Sequence, residues 1–101
     1  MRRMEKRLRQ MVEALLDARW FVYVLRCSGG TLYTGITNDL ERRLRAHREG
    51  RGARYTRGRL PLELVYREAA TSRGSATRRE REIKRLGRRE KLALIAGKHP
   101  G

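Results

Sequence analysis

The sequence predicts a small α+β domain: a three-stranded, mainly antiparallel sheet flanked by helices, with an extra helix at the N-terminal end. Three observations lead there. Two runs rich in aromatic and β-branched residues, WFVYVLRC and LYTGI, are separated by the turn-forming SGGT and read as a hairpin. Segments with apolar residues at helical spacing surround them, and a third strand-like run, LELVYRE, follows a loop dense in Arg and Gly. At 101 residues the chain is about one domain, large enough for a single core.

Residues 3–18 place Met4, Leu8, Met11, Val12, Leu15 and Leu16 at helical spacing. This predicts an amphipathic helix, an extension over 1–18 before a domain at 19–97 and a short tail at 98–101. From Trp20 the chain is apolar on both alternating faces, as an interior strand requires. The turn leaves the hairpin register open. A two-residue Gly29-Gly30 loop sets Arg26 opposite Tyr33 and turns Tyr23 and Tyr33 apart, whereas a three-residue Ser28-Gly29-Gly30 loop pairs Tyr33 with Leu25 and leaves Tyr23 its diagonal neighbour on one face. Gly35 on that face removes a side chain and would admit a phosphate or a backbone.

Asn38 followed by Glu41 resembles a capping box, predicting a helix from Asp39 to about Glu49 that stops at Gly50. Pro61 closes the loop GRGARYTRGRLP, and the third strand follows it. Ser72 or Ser75 caps a helix carrying ATRREREIKRL; Gly87 separates it from a last helix over RREKLALIA, ended by Gly97.

Twenty-six Lys and Arg against 11 Asp and Glu give a formal charge of +15. Self-repulsion on that scale calls for a polyanionic partner, and nucleic acid is the expected one, with ribosomal RNA, DNA and an anionic membrane all open on charge. No apolar run reaches the roughly 18 residues of a membrane span. Glu13, Asp17 and Arg19 interrupt what would be the apolar core of a signal peptide, and Cys27 is the only cysteine, so a reducing, cytoplasmic and nucleoid-associated setting is expected.

Within this basic background a few residues stand out by position. At about 100° per residue, the helix after the hairpin groups Leu40, Leu44 and His47 on one face with Arg43 at its border. Such an arginine either snorkels to solvent or meets an anion in a cleft; the histidine is either a hydrogen-bonded core residue or a catalytic one. In the later helix, Glu80 falls among the inward Ala76, Ile83 and Leu86. A carboxylate there must be paired with a cation or hold a metal. One carboxylate suffices for Mg²⁺, which keeps several waters and shares substrate oxygens.

This ordered set resembles the GIY-YIG nuclease superfamily, in particular its short stand-alone bacterial members. Phe21-Val22-Tyr23 stands at the GIY position, Tyr33-Thr34-Gly35 at the YIG position, Arg43 and His47 lie on the following helix, and Glu80 ends ATRRE. Phe21 replaces the first glycine, Ile36 occupies a position where some members carry lysine, and an asparagine near the domain end of some members has no counterpart.

The resemblance implies hydrolysis of a nucleic-acid phosphodiester with Mg²⁺ or Mn²⁺ held by Glu80. It makes Tyr33 the general-base candidate, Tyr23 a group that orients the water or shares the base role, Arg43 the phosphate holder and His47 a positioning or proton-accepting group. Arg54 or Arg57 would replace the missing lysine as the cation assisting Tyr33. Tyr55 resembles a further family tyrosine and would contact the site, stack on a base or be a plain loop aromatic.

Residues 41–59 hold eight Arg against Glu41 and Glu49, and residues 73–91 hold nine basic against three acidic residues. Arg42, Arg45, Arg51, Arg54, Arg57 and Arg79 are the expected phosphate contacts from these stretches. The leading expectation is a metal-dependent DNA endonuclease acting on branched or damaged structures, in repair or recombination. The competing one is a non-catalytic nucleic-acid-binding module of the same fold. In either case the N-terminal helix is a candidate surface for a protein partner or self-association.

Overall fold

The computed structural model describes residues 5–9 and 19–97. Residues 5–9 are helical (α1), and the rest of the helix expected over 3–18, like the tail from Lys98, lies outside the described residues. The order that follows is β1 (Trp20–Arg26), β2 (Leu32–Thr37), α2 (Leu40–Arg48), β3 (Glu63–Ala70), α3 (Arg73–Arg85) and α4 (Arg88–Ile95). The strands form one antiparallel sheet in the order β2-β1-β3.

As the central strand, β1 is covered on both faces, which is why its sequence is apolar on both alternations. Val22 and Val24 join Ala76 and Ile83 of α3 and Leu94 of α4 in the core, flanked by Trp20, Ile36, Val65 and Leu86. Tyr23 and Leu25 are equally buried on the alternate positions. The hairpin adopts the three-residue register: Leu25 pairs with Tyr33, and Gly29 and Gly30 take the positive φ values, 88° and 87°, that the tight connection needs. On the other side, Val24 opposes Tyr66 and Leu25 opposes Leu64, so Val65 bulges out of the ladder.

The caps differ from expectation in one place. Asp39, not Asn38, is the N-cap of α2: its carboxylate accepts from the Arg42 amide at 3.1 Å, while its own amide donates to Thr37 Oγ1. A charged cap whose backbone is already anchored to Thr37 at the end of β2 outcompetes the amide one residue earlier. For α3 both serines act together. Ser72 is the cap and Ser75 returns a bond to its backbone, a reciprocal box.

Candidate active site

Three elements bring the aromatic residues together. Tyr23 and Tyr33, from adjacent strands, have ring centroids 6.3 Å apart. His47 reaches them from the last turn of α2, its ring 5.9 Å from Tyr23 and 5.5 Å from Tyr33. The loop after α2 closes the group from the side: Tyr55 stacks on Tyr33 at 5.9 Å with planes 19° apart, and the Arg59 guanidinium lies 4.3 Å from the Tyr55 ring centroid. Tyr55 thus lies against Tyr33.

Gly35 has a different part from the one expected. It lies directly opposite Tyr23, and a Cβ built on it would fall 2.6 Å from the Tyr23 hydroxyl. The space above this glycine holds a phenol ring, not a phosphate or a backbone. Tyr23 is consequently 1% exposed, and its hydroxyl is 2.9 Å from His47 Nε2. The other imidazole nitrogen, Nδ1, is 2.8 Å from the hydroxyl of Thr56, also buried.

The titration of these groups follows from burial and two charges. Desolvation raises both tyrosine pKa values, that of Tyr23 the more strongly; Arg43 opposes the shift and Glu80 adds to it. His47 is lowered by burial and by the same Arg43, so it is neutral at physiological pH. Arg43 is thus a cation that bears on both phenols, while Arg54 and Arg57, the loop cations named for that part, stand at the ends of the turn that carries Tyr55. Arg43 itself is exposed and lines, with Thr37, Asn38, Asp39, Arg42 and Ala46, a cleft of about 300 Å³. A second cleft of about 300 Å³ is formed by Leu32, Tyr33, Thr34, Tyr55, Lys84 and Lys91. Tyr33 is thereby the phenol with access to solvent.

Glu80 projects its carboxylate near enough to influence both tyrosines, with 19% of its side chain exposed and only a loose 3.6 Å contact to Lys84. Among the described residues no three His, Cys, Asp or Glu side chains cluster. That donor set suits a hard, largely hydrated cation such as Mg²⁺ or Mn²⁺ and does not suit a chelated Zn²⁺.

The remaining predicted contacts divide. Arg42 lines the cleft with Arg43, Arg45 lies beside Leu44 and Arg48 on the outer face of α2, and Arg54 and Arg57 bracket the turn that carries Tyr55. Arg79 lies elsewhere, fixed within the protein: its Nε donates to both oxygens of Glu68 and its Nη1 to Glu82. Arg51 pairs with Glu49. Sequence reasoning passed over Thr56, Gly52, Lys84 and Lys91. The first two sit in a loop without periodicity, and the lysines were lost in the basic background.

The GIY-YIG catalytic domain description matches residues 19–93. A UPF0213 protein of Nitratidesulfovibrio vulgaris is 55% identical over 80 residues, covering 79% of this chain and 73% of its own. One from Natronomonas pharaonis is 53% identical, covering 80% of this chain and 95% of its own. The solution NMR structure of a UPF0213 protein from Bacillus halodurans superposes with a TM-score of 0.53 at 47% identity, over 78% of this chain and 84% of that one.

Proposed function

The chain belongs to the GIY-YIG catalytic-domain family of nucleases, and from that premise we propose that it is a divalent-metal-dependent endonuclease hydrolysing DNA phosphodiester bonds. The observation that carries the reading is the meeting of two phenols and a neutral histidine, with the charges of Arg43 and Glu80 bearing on both phenols, Tyr33 opening to one cleft and Arg43 lining another. Tyr33, the phenol with solvent access, takes the proton from the attacking water. Tyr23 is buried and tied to His47, which suits it to hold Tyr33 and not to meet the water itself. Arg43 binds the scissile phosphate and stabilises its growing negative charge, while lowering the phenol pKa values against the effect of burial. Glu80 holds Mg²⁺ or Mn²⁺, which when bound supplies positive charge for the leaving oxygen.

Branched or damaged DNA in repair or recombination is the substrate class most in keeping with a basic surface that presents no reader helix among the described residues. The test is a cleavage assay over single-stranded, duplex, flap and junction DNA and the RNA equivalents, with Mg²⁺, Mn²⁺ or EDTA. Metal-dependent nicking that Glu80→Ala abolishes is expected. Tight, salt-sensitive binding with no cleavage on any substrate would instead make the protein a non-catalytic binding module, and nicking that favours RNA would reverse the substrate.

A further inference from the structure

Thr56 has no place in the proposed chemistry, yet it is one of the most buried polar residues of the chain, with 1% exposure. It stands in the short 3₁₀ turn Arg54–Thr56 of the loop after α2. Its hydroxyl oxygen has two close neighbours, His47 Nδ1 at 2.8 Å and the Ala53 carbonyl oxygen at 2.9 Å. A hydroxyl has one hydrogen, so only one of the two can receive it.

The carbonyl settles which. It has only lone pairs to offer, and two oxygens at 2.9 Å with no hydrogen between them repel. The Thr56 hydrogen therefore points to Ala53, and the oxygen accepts from the imidazole. Nδ1 then carries the proton of the neutral ring, and Nε2 is left as an acceptor facing the Tyr23 hydroxyl at 2.9 Å.

The backbone of the same loop holds this arrangement in place. A Cβ on Gly52 would fall 2.2 Å from His47 Nδ1 and 2.6 Å from Cγ, so the chain lies directly against the ring face and edge. Tyr23 and Tyr33 enclose the imidazole from the sheet. With Gly52, Tyr23 and Tyr33 packed against it and 1% exposure, the ring has little room to turn over and exchange its two nitrogens.

We propose that Thr56 is a positioning residue that fixes His47 as the Nδ1–H tautomer, so that Nε2 accepts the Tyr23 hydroxyl proton and the Tyr23 oxygen keeps its lone pairs for the Tyr33 side of the site. The chain Tyr23–His47–Thr56–Ala53 then has one direction, with every donor pointing to the next acceptor. Were the tautomer reversed, Nε2–H would occupy a lone pair of the Tyr23 oxygen, and His47 would offer no base on the tyrosine side. This role rests on the nuclease reading for its consequence in catalysis but not for its geometry.

The experiment separates the two. The full-length protein, labelled with ¹⁵N-histidine, is examined by long-range ¹H–¹⁵N correlation at pH 7.5, with His99→Gln used to assign the two histidines. Wild type should show His47 Nδ1 at the protonated, pyrrole-like shift and Nε2 at the pyridine-like one. Thr56→Ser should retain this pattern, and Thr56→Val should lose it to the other tautomer or a mixture. A wild-type spectrum with Nε2 protonated overturns the proposal whatever the variants do, as does an unchanged pattern in a folded Thr56→Val. In cleavage assays Thr56→Val should lower kcat about 10–100-fold, the scale of a histidine's outer partner, with KM unchanged and Thr56→Ser restoring activity. An unaltered kcat in Thr56→Val would remove the catalytic role. If the wild type cleaves nothing, the nuclease reading falls, while the tautomer is still decided by the spectrum.

Discussion

Tyr23 and Gly35 face each other across β1 and β2, and the glycine is where the tyrosine ring lies: a Cβ there would approach the hydroxyl to 2.6 Å and Cζ to 2.7 Å. The pairing joins the interior of the sheet to the polar chain through His47. Gly35→Ala should push the ring off its seat, lengthen the 2.9 Å bond to His47 and destabilise the fold by about 1–3 kcal/mol, as overpacked sites do. Urea unfolding measures the loss. Unchanged stability together with an unchanged His47 spectrum would mean that the ring has space the structure does not show.

The pKa directions predict how stability depends on pH. His47 is lowered in the folded protein, so below about pH 6.5 the unfolded chain binds the proton more readily and stability falls as pH drops towards the folded pKa. Tyr23, Tyr33 and Tyr66 are raised, so above about pH 10 the unfolded chain loses protons first and stability falls again. Unfolding free energies should therefore form a plateau between these limits. His47→Gln should flatten its acid side. A slope that persists in this variant would assign the acid loss to other groups.

The arginines differ in what they do. Arg79 and Glu68 are each about one-third exposed, 34% and 30%, so their pair, one Nε shared between both carboxylate oxygens, contributes about 1 kcal/mol or less. Arg79→Ala should lower the unfolding midpoint slightly and leave the salt dependence of DNA binding unchanged. Arg45→Ala and Arg57→Ala should do the reverse, each reducing the slope of log K against log salt by roughly 0.9. If Arg79→Ala reduced the slope as much as they do, its carboxylate partners would have to release it on binding DNA.

The element order and the strands were readable from alternation, turn residues and caps, because these are local signals. Glu80 and Arg43 were readable too, since a charge on or beside an apolar helical stripe is conspicuous. Register was less accessible: SGGT permits two loops, and only packing of the strand pair selects the one that puts both tyrosines on a face. The sequence marks the space that Gly35 leaves, but what fills it is a neighbour on another strand. Thr56 and Gly52 had no signal at all. Their meaning comes from a ring that α2 delivers to an irregular loop, a relation with no period in the sequence.

The two tyrosines should be separable by their phenylalanine variants. Tyr23 has its hydroxyl on His47 inside the protein, so Tyr23→Phe leaves a buried nitrogen without a partner, destabilising by about 1–3 kcal/mol. Tyr33 is only partly buried, and its stack on Tyr55 survives removal of the hydroxyl, so Tyr33→Phe should leave the unfolding midpoint nearly unchanged. Cleavage should show the opposite ranking. Tyr33→Phe loses the base itself and should lower kcat by about 10²–10⁴-fold, the usual contribution of a positioned proton acceptor. Tyr23→Phe loses only the group that holds it and should fall less. Measuring kcat and unfolding on the same preparations decides the assignment, because loss of folding cannot then be mistaken for loss of chemistry. A stable Tyr23→Phe that is inactive, beside a Tyr33→Phe that still cleaves, would move the base to Tyr23 and require the buried phenol to become accessible when DNA binds.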